Sequence, residues 1–420
     1  MDKTQKNKLF IIIVIIFMCI LYGVGIYIDN LHKSVEIPIL KTSEPITLRF
    51  MSSWGGEDNK TEIITELINQ FNADHPDILV VNESMSGEDF LFNLKTDFAS
   101  NHPPDVFGLW PGSDLDKLIE MGKVANLHDA FNEDTLWKSE FDDVIIEDYL
   151  SDDELYSIPF EIIYEGLFIN KTIFNRAHVA VPRDFEELVS SAKRLERLNY
   201  IPIAYNISPE GSFIFQNLIA CHGGKAIETD KAVMLESMKK AAVDMKALYD
   251  AGAFPEDAFI LDDYSRDELF LQGRAAMIVQ GSWFITDELG RHDEVIFIPF
   301  PYNPQNQVLV HGLGNGNFHI SQKAFEDVQR KTAALKFLRY LTSSESAASF
   351  EKLPGFKSSL KEPNVTEQTW RYGISEGIDV YVKPIDHYVD RSVWEAEIIR
   401  RFPLLFQGDI SVEELFKSVE

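Results

Sequence analysis

Ten histidines, two cysteines and 67 acidic residues are the groups of this chain with the capacity for metal or acid–base chemistry. Metal-assisted hydrolysis needs ligands clustered as in H-E-x-x-H, and no two of these histidines have that spacing. Cys19 and Cys221 are too few for a disulfide framework or a cysteine-based zinc site. Asp142-Asp143, Glu147-Asp148 and Asp152-Asp153-Glu154 form an acidic cluster without the D-x-D-x-D-G spacing of a calcium loop, so it reads as a solvated face. Gly312-Leu-Gly314-Asn-Gly316 is followed by Phe318-His-Ile-Ser, a strand pattern rather than the Lys-Ser/Thr of a phosphate loop, which makes it a tight turn lining a cleft. The nucleophile elbow G-x-S-x-G is absent, and Ser282 in Gly281-Ser-Trp283 reads as a helix cap. Glu161 and Glu165 are the least unsuitable carboxylate pair for glycoside hydrolysis. No cofactor is called for.

The aromatic residues say more. Trp54 precedes Gly55-Gly56, Trp110 precedes Pro111-Gly112, Trp283 follows Gly281, and Trp370 and Trp394 lie late in the chain. In doubly wound sheets ligands bind beyond the carboxyl ends of strands, where such loops lie. Flat rings there stack on sugar faces while carboxylates, amides and hydroxyls bond sugar hydroxyls; the competing reading of any one tryptophan is core packing.

The elements that would position these residues alternate. Ile46–Met51, Asp77–Val81 and a segment opening at Val106 read as strands, and Ile63 to Phe71, Phe90 to Phe98 and Leu115 to Ile119 as helices. A second set follows: strands at Leu167–Ile169, Ile201–Ala204, Ala275–Val279, Val295–Pro299 and Asn317–Ile320, with helices from Phe185, over Val233–Tyr249, from Ser282 to Leu289 and over Thr332–Leu341, Ser343 capping a successor. Alternation of this kind implies α/β crossover units and parallel sheets. At 420 residues two such lobes are expected, and no long linker separates them, so the chain should cross between them more than once. A formal charge of -28 repels phosphate backbones and argues against a nucleic-acid partner.

The amino terminus differs. Leu9 to Ile28 carries no charge and follows Lys3, Lys6 and Lys8. Twenty helical residues span about 30 Å, one bilayer core. The pattern predicts a basic cytoplasmic tail and membrane anchor over residues 1–29, a linker over 30–45, and the rest on the outer face of the membrane. A cleaved signal and a lipoprotein are the alternatives; A-x-A residues are missing, and Ile16, Phe17 and Met18 before Cys19 suit acylation poorly.

Several segments together resemble the extracellular solute-binding proteins, family 1, of ABC carbohydrate importers, typified by maltose-binding protein. They are Pro104-Asp105-Val106-Phe107; Tyr156-Ser-Ile-Pro159 with Leu167-Phe-Ile-Asn170-Lys171-Thr-Ile-Phe174; Val181-Pro182-Arg-Asp-Phe185-Glu-Glu-Leu188; Phe270-Leu-Gln-Gly273-Arg-Ala-Ala276-Met277 with Gly281-Ser282-Trp283; and Ala333 through Phe337 and Leu341-Thr-Ser. Two departures are His178 and Phe185, where the family often has Gly and Trp.

The resemblance implies a two-lobe periplasmic-binding-protein-like fold, each lobe a sheet flanked by helices, joined by a multi-strand hinge. Lobe one would be 46–160 and 301–342, lobe two 161–300 and 343–420, with crossings near Pro159–Tyr164, Val295–Phe300 and Ser343–Phe356. It implies a non-catalytic protein that closes on a carbohydrate and delivers it to permease subunits, or alternatively an anchored sensor domain. It assigns ligand contacts to Trp283, to Ser53, Trp54 and Gly55, to Asp105 and Trp110, to Glu161 or Tyr164 on the hinge, to Gly314 and Asn315, and to a late aromatic loop, Pro384 to Tyr388 with His387 and Tyr388, or else Trp394.

Overall fold

The protein is described from a computed structural model, which covers residues 16–25, 44–56, 58–141, 146, 154–285, 289, 294–361 and 378–419. Residues 1–45 and 46–420 form separate units. In the first, residues 16–25 are an exposed helix, and the remainder of the apolar run Leu9–Ile28 lies outside the described residues. Among the described residues no helix is long and apolar enough to cross a membrane. Trp370 and nearly all of the acidic cluster at 142–154 also lie outside them.

The second unit is built on two sheets. β1 (Ile46–Met51) buries Leu48 and Phe50 by simple alternation, and α1 (Thr61–Asp74) lays Ile64, Ile68 and Phe71 against it at helical spacing. β2 (Ile78–Asn82) and β3 (Val106–Gly108) pair parallel to β1, separated by α2 (Gly87–Ala99). α3 (Ser113–Glu120) follows β3, and β4 (Ile158–Pro159) ends this passage.

The second sheet is organised by β5 (Glu161–Asn170), nine of whose ten residues are buried, because it takes strand partners on both sides and is covered on both faces. It pairs antiparallel with β7 (Ala275–Gly281), β8 (Val295–Ile298) and β9 (Val308–Leu313), while β6 (Ile201–Ala204) lies parallel to β7. Helices α4 (Phe185–Arg197), α5 (Phe213–Gly223), α6 (Lys231–Asp250) and α7 (Asp263–Leu271) belong to this half. The chain then returns: β10 (Asn317–Ile320) joins the first sheet between β3 and β4, and α8 (Val328–Leu341) packs Phe337 on Phe50. Ser343 caps α9 (Ser344–Phe350), as expected.

Both sheets are mixed rather than parallel. β10 enters the first sheet antiparallel to β3 and β4, and β5 runs against β7, β8 and β9. These strands arrive across the hinge, not over a crossover helix, so nothing forces them parallel.

The lobe boundaries also shift. The chain passes from the first sheet to the second at Phe160, between β4 and β5. The second crossing is at Gly314–Gly316, not Val295–Phe300, because Val308–Leu313 pairs with β5 in the second sheet. The third follows β11 (Lys357–Ser358), which pairs with Ile162 and Glu161, while Ala347, Phe350, Phe356 and Leu360 remain in the first lobe's core. Residues 301–313 therefore sit with lobe two and 343–360 with lobe one. The expected helix from Ser282 to Leu289 starts as a single 3-10 turn, Ser282–Phe284, with Gly281 rather than Ser282 at its N-cap position.

Candidate functional site

Strand alternation builds the floor of a cavity. Along β5, Glu161, Ile163 and Glu165 point to one side and line it, while Tyr164 points to the other and packs edge-on against Phe297 in the second lobe's core. Tyr164 is thus a core residue, and Glu161 the one of the two hinge candidates that reaches the cavity. The second crossing adds Leu313, Gly314 and Asn315. The loop after β1 supplies Ser53 and Trp54 with Asp58 and Lys60, and the loop after β3 supplies Trp110 and Pro111. From lobe two come the turn before α5 and its first residues (Pro209, Glu210, Ser212, Phe213, Gln216), Trp283 after β7, and Pro384, Ile385, Asp386, Arg391 and Trp394. The cavity holds about 220 Å³, below the roughly 300–1,000 Å³ common for small-molecule sites.

Its small size goes with contacts that already bridge the lobes. Lys117 and Asp390 form an ion pair at 2.6 Å, the Arg391 backbone N–H donates to Ser113 Oγ at 2.9 Å, and Asn59 donates to the Ile285 carbonyl at 3.3 Å.

The four tryptophans divide by environment. Trp283 is half-buried, touches Phe213 edge-on at 5.3 Å, and lies over Gly281, where a Cβ would meet its ring atoms at 2.1–2.4 Å. The glycine of Gly281-Ser-Trp283 is therefore what lets the indole fold back along the cavity wall. Trp394 is pinned, stacked on Phe215 at 5.2 Å with Nε1–H donating to Ser212 Oγ at 3.0 Å. Trp110 is half-buried, with the Arg391 guanidinium 5.9 Å from its ring centre. Trp54 is fully buried among Phe318, Phe350 and Phe356, so it offers no face for stacking.

Other expected contacts lie elsewhere. A Cβ on Gly55 would stand 2.3 Å from the Ser84 backbone, so this glycine serves a close chain approach rather than the cavity. Asp105 precedes β3, at the end of the sheet opposite the Trp110 loop, and is held by the Arg49 N–H at 2.8 Å and Arg330 at 2.6 Å. His387 and Tyr388 follow the lining residues Pro384–Asp386 without lining the cavity themselves. Burial and neighbouring Lys383 push the His387 imidazole down to about 4.

Charge inside the cavity is arranged in two groups. Lys60, almost fully buried, stands 3.3 Å from Glu161 and 3.7 Å from Asp58; burial works against its charge, and the two carboxylates hold its pKa above the ordinary lysine value nonetheless. Glu161 Oε2 also accepts from the Gly316 N–H at 3.0 Å. Glu165 is different: desolvation, assisted by the charge of Asp386, raises it to about 8 despite amides donated by Gln216 at 2.5 and 2.7 Å and Asn217 at 3.2 Å. Gln216 accepts in turn from the Ile385 N–H at 2.6 Å, tying α5 to the late loop. Buried Arg266 on α7 holds Glu210 at 3.1 Å and Asn206 at 3.2 Å, which fixes the Pro209–Ser212 turn.

Sequence reading missed Lys60, Arg391 and the α5 contributions, and it placed Asp386 only within the late loop Pro384–Tyr388. The α5 segment is apolar on most sides, so it shows no amphipathic stripe, and a lone lysine in an acidic chain carries no signal of burial. Among the described residues no group of three or more His, Cys, Asp or Glu side chains is placed to hold a metal ion.

Residues 57–348 match the family model described as bacterial extracellular solute-binding protein. A maltotriose-binding protein of Pyrococcus abyssi is 22% identical over 337 residues, covering 78% of this chain and 71% of its own. A galactooligosaccharide-binding protein of Bacillus subtilis is 22% identical over 335 residues, 76% of each chain. An uncharacterized ABC transporter extracellular-binding protein of Pyrococcus horikoshii is 23% identical over 272 residues; the match spans 62% of that relative, less than two thirds of its length. Among solved structures, a chitin oligosaccharide binding protein superposes with a TM-score of 0.76 at 18% identity, over 90% of this chain and 97% of that one. An ABC substrate-binding protein of Listeria monocytogenes in complex with cycloalternan gives 0.70 at 18% identity, over 89% and 96%. Likeness at this identity speaks for the two-lobe fold.

Proposed function

The chain belongs to the family of bacterial extracellular solute-binding proteins, and from that premise we propose that it captures a carbohydrate, an oligosaccharide, between its lobes without transforming it and delivers it to an ABC transporter. The observation that carries this reading is the cavity itself. Both lobes and the hinge wall it, Trp283 lies along one side over Gly281, and buried carboxylates and amides stand around it. A ring stacked on Trp283 with its hydroxyls turned to Glu165, Gln216 and Asp386 uses each of these groups. Ligand contacts on both lobes are complete only when the lobes meet, so ligand shifts an open–closed equilibrium toward the closed form. The maltotriose- and galactooligosaccharide-binding relatives support sugar as the cargo. In this reading Leu9–Ile28 anchors the protein on the outer face of the membrane, beside the permease it feeds.

Glycoside hydrolysis is the less suitable use of the cavity. Glu161 and Glu165 stand four residues apart on one strand, about 13 Å between Cα positions at roughly 3.3 Å per residue, and Glu161 is committed to Lys60 and Gly316. The test is titration of the purified chain with maltotriose, raffinose, chitotriose and xylotriose, followed by tryptophan fluorescence and thermal melting. A sugar at 100 times its Kd adds about 2.7 kcal/mol of stability. Absence of any shift across the panel overturns the reading, and release of smaller sugars would replace it with hydrolysis.

A further inference from the structure

A second depression, of about 610 Å³, opens on lobe two and shares no residue with the cavity between the lobes. Arg176, His178, Ser190, Lys193, Arg194 and Arg197 line it, and no carboxylate does. This is a basic patch in a chain where 67 acidic residues outnumber 39 basic ones. Ser190, Lys193, Arg194 and Arg197 stand at i, i+3, i+4 and i+7 on α4 and so share one face, while Leu188, Ser191, Ala192 and Leu195 turn into the core. The helix Lys171–Ala177 brings Arg176 to the same place and ends on His178, exposed and held at φ 51°. The one acidic residue of the 190–198 stretch, Glu196, lies against Gly252 instead, where a Cβ would come within 2.9 Å of its Cγ.

These cations are arranged against their own repulsion. Like charges three and four residues apart on a helix destabilise it, and among the described residues Arg176, Lys193, Arg194 and Arg197 make no ion pair or side-chain hydrogen bond within the protein. Two helices end here, and their carboxyl ends favour positive charge. Each end is worth roughly half a negative charge, which leaves about three positive charges uncompensated. The depression therefore suits an anion. Its charged side chains are exposed on flexible stems, so a single small ion in water gains little from them, as exposed ion pairs do. An extended anionic surface meets all four at once. Each cation near an anionic lipid surface adds roughly fivefold to the attraction, and four add several hundredfold. Leu198, 47% exposed at the same depression, supplies an apolar contact at the level of lipid headgroups.

Resting on the reading that Leu9–Ile28 anchors the chain, we propose that this face of lobe two is a contact site for the phosphate groups of anionic lipids in the same membrane. Residues 30–45 reach at most roughly 55 Å when fully extended, so the face stays in the neighbourhood of the bilayer. Charge then selects the face. At -28 overall, the rest of the molecule is repelled by an anionic surface. At physiological ionic strength attraction acts within a Debye length of about 8 Å, so the basic depression is the face that holds on contact. The contact is electrostatic and reversible, leaves the cavity lining free, and orients the folded part of the chain without any sugar.

For the test, the full chain is reconstituted into vesicles of phosphatidylcholine alone, and of phosphatidylcholine with an equal part of phosphatidylglycerol, and recovered by flotation. Phenylglyoxal then modifies arginines, and mass spectrometry reads the rate at each. Arg176, Arg194 and Arg197 should react at least threefold more slowly on the anionic vesicles than on the neutral ones. Arg274 and Arg400, exposed and outside the depression, should keep their rates. High salt should erase the difference. Lys193→Glu combined with Arg197→Glu, both exposed on α4, should erase it at Arg176 and Arg194 and leave trisaccharide affinity unchanged. Equal protection by inorganic phosphate on neutral vesicles would give the site to a soluble anion and overturn the lipid contact. Protection on neutral vesicles that rises with protein density would give it to a second copy of the chain, and overturn it too. Flotation without protection overturns the contact and leaves the anchor standing, whereas a chain that does not float with neutral vesicles overturns both.

Discussion

At the scale of single residues, the cavity depends on positions whose chemistry is set by what packs behind them. Trp283 can lie flat only because residue 281 has no side chain. Gly281→Ala should therefore push the ring off the wall and weaken sugar binding more than tenfold, as Trp283→Ala should, by calorimetric titration; loss of a desolvated aromatic contact reaches the 1.4 kcal/mol that a factor of ten requires. Glu165 makes a pH prediction. Its carboxyl is raised from 4.5 to about 8 by burial, so between these values the folded protein keeps a proton that the unfolded chain has released. Its contribution to stability is greatest below about 4.5 and is lost as pH rises toward 8. Glu165→Gln removes this titration, so its melting temperature should gain on that of the unmodified chain as pH is raised from 4.5 to 8; a constant difference across that window would contradict the assignment.

At the scale of elements, two positions show backbone geometry choosing the residue. The helix Lys171–Ala177 ends on His178 at φ 51°, in the left-handed region that favours glycine. His178→Gly should stabilise the protein by about 1 kcal/mol, because a side chain in that region costs roughly 1–2 kcal/mol, and a melting curve reads it. The hinge turn is the opposite case, since Gly316 is surrounded. Gly316→Ala forces the turn away from Glu161 and Trp54 and should lower both melting temperature and sugar affinity. An unaffected affinity would separate the turn from the binding site.

At the scale of the whole molecule, closure is held at one edge by the Lys117–Asp390 pair and by the Arg391 N–H on Ser113. The pair is partly exposed, so it is worth about 0–1 kcal/mol and is weakened by salt. A contribution of that size shifts an open–closed balance by up to about fivefold. Lys117→Glu should enlarge the radius of gyration of the unliganded protein at low ionic strength, the difference should shrink in high salt, and adding Asp390→Lys should restore it. Closure that ignores all three changes would mean the pair is incidental to it.

Local pattern was enough to place most strands and helices, because burial of one face leaves a period of two or 3.6 that a neighbour-by-neighbour reading detects. The order of weak motifs around Pro159, Asn170, Pro182, Gly273 and Trp283 was likewise enough to indicate two lobes and a cleft. What the chain did not disclose by itself depends on pairing across long separations. Val308–Leu313 joins the second sheet through residues 162–165, and Ala347 to Leu360 stay in the first core, so the crossings lie where those contacts place them. β5 read as a strand only from Leu167 because Glu161 and Glu165 interrupt its apolar run; their burial is tolerable only once Lys60, Gly316, Gln216 and Asn217, each 51 or more residues away along the chain from the glutamate it contacts, supply partners. Which tryptophan faces the cavity and which is sealed in the core is decided in the same way, by the rings and glycines that tertiary contact brings against each indole.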